Sequence, residues 1–97
     1  GLEEALQNAA RRLRLPRGSI PYAPVLGSGL AGLDPQEENS AQRAWALAGE
    51  ALLPCPGVEV GQAMFDQEDW VWTFTITTPE GTGQVAVPGK EQSDGQV

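Results

Sequence analysis

The chain has 97 residues, of which 40% are hydrophobic and 20% charged, and its formal net charge is −7. That length predicts one domain with a modest core, since a chain this short buries only about 60–65% of its unfolded surface. The acidic balance argues against nucleic-acid binding, which needs clustered Lys and Arg. The absence of His removes the commonest catalytic base and metal ligand together. A single cysteine, Cys55, excludes an internal disulfide and any CxxC zinc site. No apolar run approaches the roughly 18 residues needed to span a bilayer, so no membrane partner is expected.

Leu2, Leu6, Ala9, Ala10 and Leu13 recur at helical spacing, with Arg11, Arg12 and Arg14 in the last turn, where cations complement the helix dipole. Pro16 should stop this helix at or before Leu15. Four arginines against two glutamates give residues 1–17 a charge of +2, and two cations against eleven acids leave the remainder at −9. The basic helix end, Arg11, Arg12 and Arg14, is therefore a candidate contact for an acidic neighbour. The alternative is an ordinary solvated helix terminus.

Residues 16–33 mix prolines and glycines with Ile20, Tyr22, Val25, Leu26, Leu30 and Leu33. The segment reads as extended and threaded by turns, and it is too apolar for a linker. Asp34, Pro35 and Glu37 then supply the N-cap, first helical position and capping carboxylate of a second helix. Its apolar stripe is read as Ala41, Ala44, Trp45, Ala48, Ala51 and Leu52, with Trp45 supplying most of the buried area, before Pro54 and Pro56 stop it.

Three strands are expected next. Residues 58–65 alternate, Asp66 to Asp69 make an acidic turn, and Trp70, Trp72, Phe74 and Ile76 alternate with Val71 and three threonines. Pro79-Glu80-Gly81 forms a hairpin turn and residues 82–87 return. The fold class is α+β: helix, extended Pro/Gly-rich segment, helix, then a three-stranded antiparallel β-meander packed on the helices. Residues 1–88 form the domain, and residues 89–97 are a polar, flexible tail.

Few motifs suggest chemistry. Gly27-Ser28-Gly29-Leu30-Ala31-Gly32 matches G-x-G-x-x-G, but no βαβ unit surrounds it, so it reads as a turn-rich loop and not a dinucleotide site. Asp66, Glu68 and Asp69 lack the glycine and distal glutamate of a calcium loop. Cys55 follows a helix C-terminus and reads as structural. The only lysine, Lys90, lies in the polar tail, leaving no nucleophile and base pair. The expectation is no enzyme, no catalytic residue, no cofactor, no metal and no small-molecule substrate. Trp70 and Trp72 are read as core, with an interface anchor as the other possibility.

The stretch Arg17-Gly18-Ser19-Ile20-Pro21-Tyr22-Ala23-Pro24-Val25-Leu26-Gly27-Ser28-Gly29-Leu30 resembles a signature of the phage baseplate wedge and baseplate assembly protein W family. Pro24, Leu26-Gly27-Ser28 and Leu30 match that family's P-x-[FYL]-G-S-x-L element, and Ala51-Leu52 with Pro56-Gly57-Val58 fits its helix exit. Ser19-Ile20 stands where wedge proteins of contractile tails carry Glu-Arg, as in a divergent prophage member. The resemblance implies a structural tail subunit, located in the bacterial host cytoplasm during assembly and then in the virion tail. Its partners would be other baseplate proteins or further copies of itself. Tyr22, Leu26 and Leu30 are the expected interface residues, beside Arg11, Arg12 and Arg14. The alternative function is a small protein- or peptide-binding regulatory module that uses the aromatic sheet face.

Overall fold

A computed structural model describes residues 1–16, Gly18 and residues 27–91. The elements are α1 (Leu2–Arg14), a single 3-10 turn at Leu30–Gly32, α2 (Ser40–Ala51), β1 (Glu59–Asp66), β2 (Val71–Thr78) and β3 (Gly81–Pro88). The strands form one antiparallel sheet in the order β1-β2-β3. Helix α1 packs mainly on β3 and α2 mainly on β1, so both helices cover the same face. The α+β class and the meander are as the sequence indicates.

The core follows from β2, whose residues alternate in burial because successive side chains point to opposite faces. Trp72, Phe74 and Ile76 have no exposed surface. Their cross-strand partners are Phe65, Ala63 and Val60 on β1 and Val87, Val85 and Gly83 on β3. Trp72 lies 4.9 Å from the Phe65 ring and 6.3 Å from Phe74, centroid to centroid. Leu13, Ala44, Ala48 and Leu52 close this layer from the helices.

Helix α1 ends where Pro16 requires, with Leu15 as its extended cap. Its last carbonyls are then met by a single residue. Ser28 donates its hydroxyl to the Leu13 carbonyl at 2.7 Å and its N–H to the Leu15 carbonyl at 2.9 Å, while its Oγ accepts from the Leu30 N–H at 3.3 Å. Ser28 is 1% exposed and forms a parallel bridge with Pro16. The chain passes this point only through Gly27, at φ +108, where a Cβ would collide with the Leu15 carbonyl oxygen. The literal G-x-G-x-x-G string is thus a latch on the end of α1, followed by a 3-10 turn that buries Leu30 and Leu33.

Several expectations are corrected. Helix α2 starts at Ser40 and not at Asp34, and its cap is Asn39 at φ 63. Asp34 instead accepts the Gln36 N–H and heads a run of turns, the competing local bond that Asp favours. On α2, Ala44, Ala48 and Ala51 are buried, but Ala41 is exposed and Trp45 is 50% exposed, so Trp45 is not the helix's main buried residue. Trp70 precedes β2 at φ 59 and lies outside the strand. It is half-buried, stacked edge-on against Phe65 at 4.8 Å. Its Nε1 donates to the Lys90 carbonyl at 2.7 Å and its carbonyl accepts the Gly89 N–H at 2.8 Å, so Gly89 and Lys90 are tied to the domain. Residues 92–97 of the expected tail lie outside the described residues.

The latch makes two measurable predictions. Ser28→Ala leaves the Leu13 carbonyl and Leu30 N–H buried without their partner and should cost about 1–3 kcal/mol in urea unfolding. Gly27→Ala adds left-handed strain to a backbone collision and should cost at least about 2 kcal/mol.

Candidate functional site

The sheet has two open edges, and each is served by a side chain from the helix beside it. On β3, Arg14 reaches the Ala86 carbonyl through Nε at 3.0 Å and Nη2 at 2.7 Å. On β1, Trp45 donates its indole Nε1–H to the Val60 carbonyl at 2.9 Å. Edge strands carry unpaired main-chain groups, and such caps blunt them.

The β3 edge adjoins a groove of about 760 Å³ between α1 and the strand. Leu6, Ala10, Leu15 and Val85 supply apolar lining, and Arg11 and Arg14 stand on the rim. Both arginines are exposed, and neither pairs with a carboxylate among the described residues. The eight β2–β3 pairs run in unbroken register. Because the Ala86 carbonyl points outward, the main chain of Gln84, two residues back, points outward as well. This edge therefore offers a straight ladder beside two exposed cations.

The β1 edge differs. Its register shifts between Val60 and Gln62, a bulge that disrupts the ladder. A groove of about 540 Å³ lies here between α2 and β1, lined by Trp45, Ala46, Gly49, Leu53, Val58 and Val60 among others. Trp45 is 50% exposed and Leu53 78% exposed. Gly49 sits in the last turn of α2 with open space where a Cβ would stand.

Of the interface residues expected from sequence, Arg11 and Arg14 are brought together on the β3 groove. Arg12 is half-buried and lines a separate cleft with Pro54, Cys55 and Pro56. Leu30 is 1% exposed, packed in the core because the Ser28 latch draws its turn inward, so it offers no surface to a partner. Tyr22 and Leu26 lie outside the described residues. The aromatic sheet face is covered, since Trp72 has no exposed surface. Trp45 and Leu53 are the surface residues that sequence reading missed. The available signal was Leu53 itself, an apolar residue beyond the end of the apolar stripe.

The acidic turn has a structural explanation. The Asp66 carboxylate accepts the N–H groups of Glu68 and Asp69 at 2.8 and 3.2 Å and shapes the β1–β2 connection. Among the described residues there is no group of three or more His, Cys, Asp or Glu side chains placed to hold a metal ion. Among them, too, no helix is long and apolar enough to cross a membrane.

If the α2 groove is a surface and not part of the core, substitutions there should spare the fold. Gly49→Ala should raise stability by about 0.5–1 kcal/mol, because helix propensity improves and the added methyl meets nothing. Leu53→Ser should shift it by no more than about 0.5 kcal/mol. Thermal unfolding measures both. Comparison of the chain with protein-family models, with curated proteins and with solved structures found no match.

Proposed function

We propose that this chain is a non-enzymatic structural subunit of a phage or prophage tail baseplate and that it works through protein–protein contact. The observation that carries the reading is the β3 edge: a regular, outward-facing ladder beside an apolar groove with two exposed arginines on its rim. An extended segment of a neighbouring tail protein could add there as a fourth strand, with main-chain bonds supplying affinity and the groove supplying selectivity. Acidic side chains on that segment would draw Arg14 away from the Ala86 carbonyl and free the carbonyl for pairing. The resemblance of residues 17–30 to the baseplate wedge and assembly family points the same way. On this reading the subunit resides in the host cytoplasm until tails assemble and in the virion tail afterwards.

The test is assembly. Epitope-tagged chain, expressed from the prophage that encodes it, should co-sediment with tail particles after induction. The double change Arg11→Glu and Arg14→Glu should lower incorporation by about tenfold, equivalent to ~1.4 kcal/mol. Gln84→Pro should do the same, since proline removes an outward N–H yet is tolerated on an edge strand. Tagged chain that stays wholly outside the particles while tails form would refute the assignment.

A further inference from the structure

We propose that Arg14 determines which strands the β3 edge accepts: its guanidinium closes the edge to uncharged strands, those of a second copy included, and yields to a strand that carries a carboxylate. The proposal rests on the strand-addition reading above and names how that site selects its partner.

The contact joins the end of α1 to the last strand. Arg14 is the final residue of that helix, and its Nε and Nη2 both donate to the Ala86 carbonyl, at 3.0 and 2.7 Å. Main-chain groups alternate in direction along an antiparallel strand, so Thr82, Gln84 and Ala86 face outward together. Pro88 faces the same way and has no N–H, so Ala86 carries the last outward N–H of the strand. A strand that adds here pairs through Gln84 and Ala86, and full pairing at Ala86 requires Arg14 to leave the carbonyl. The arginine is exposed, so it can swing into solvent without disturbing the core.

Charge decides the exchange. In the closed state two donors converge on one neutral oxygen. A carboxylate offers the same guanidinium two oxygens in matching fork geometry, with bonds roughly twice as strong as neutral ones. A strand bearing a carboxylate therefore replaces the contact that it breaks, and a strand without one does not. The strands of this chain lack what is needed. β3 reads Gly-Thr-Gly-Gln-Val-Ala-Val-Pro and holds no acid. β1 holds two, but the Asp66 carboxylate already accepts the Glu68 and Asp69 N–H groups, and Glu59 precedes the register shift that breaks the β1 ladder. The Trp45 indole also occupies the Val60 carbonyl of that strand. A regular open edge is a hazard for sheet-to-sheet assembly, and on this chain it is shut against further copies of itself.

The test titrates two acetylated, amidated hexapeptides of alternating threonine and valine against the full chain, one with a central glutamate and one with glutamine in its place. Calorimetry reads the affinities. The wild-type chain should bind the glutamate peptide at least about tenfold more tightly. In Arg14→Ala the glutamine peptide should gain about tenfold, because the Ala86 carbonyl is free, and the preference for glutamate should vanish. Simple attraction to a basic rim predicts instead that Arg14→Ala leaves the glutamine peptide unchanged, which would overturn the proposal. Arg11→Ala, which keeps the Ala86 contact, should weaken the glutamate peptide without strengthening the other. Sedimentation velocity should find the wild-type chain monomeric and Arg14→Ala self-associated, and adding Gln84→Pro should restore the monomer. Arg14→Ser should reproduce both readings with an unchanged circular-dichroism spectrum. A self-associating wild type, or Arg14→Ala that stays monomeric, would also overturn it. Equal binding of both peptides to the wild type overturns this selection and leaves strand addition standing, whereas binding of neither peptide to any form removes both.

Discussion

The fold depends on how the C-terminus of α1 satisfies its carbonyls. A helix leaves its final carbonyl groups without intrahelical donors, and burying them unpaired is expensive. Here two such groups, on Leu13 and Leu15, take both their donors from Ser28. That pairing fixes where the chain must return after Pro16, and it places the 3-10 turn so that Leu30 and Leu33 enter the core. It also admits only glycine at position 27, since the latch brings that backbone against the Leu15 carbonyl. The Gly27-Ser28-x-Leu30 string is therefore intelligible as a folding requirement.

With α1 anchored, the rest is a division of the sheet between two helices. Helix α1 takes β3, where Gly83 leaves space for Leu6, and α2 takes β1 with its small Ala44 and Ala48. Among the described residues the helices cover one face of the sheet, the ordinary solution for an antiparallel meander. The consequence for function is that the two edges become chemically distinct. The β3 edge is straight and bordered by arginines; the β1 edge is bulged, apolar and bordered by glutamates. Under the proposed structural role, unlike opposite edges would suit different neighbours on each side, in contrast to a two-fold dimer, whose contact uses one patch twice.

Much of this was legible in the residues. The span of α1 followed from its periodicity and from Pro16, and the strands followed from the alternation around Trp72, Phe74 and Ile76. The start of α2 was not legible. Asp34, Pro35 and Glu37 form a convincing cap pattern, but Asp34 bonds the Gln36 N–H in a turn and the helix waits until Ser40. A local pattern of this kind states what a residue can do and not which of two local bonds wins. Trp45 was misplaced for a related reason: positions 44 and 45 differ by about 100° around the helix, so a wide apolar stripe does not say which side meets the sheet. Trp70 looked like a strand residue by parity, yet a left-handed backbone held by Gly89 and Lys90 turns it out of register.

The sequence by itself determined the class of the fold, the order of its elements, the core of β2 and the lack of His, which follow from periodicity, proline positions and composition. It also located the cations that stand on the β3 groove, because charge is a property of residue type. The tertiary structure alone decided which apolar residues stay outside, that Leu30 serves the core, and that Ser28 is a latch. These are questions of which groups meet across long sequence separations. Burial of Leu30 depends on a bond between residues 28 and 13, and exposure of Trp45 on how α2 rolls against β1. Neither distance is written in any local stretch of the chain.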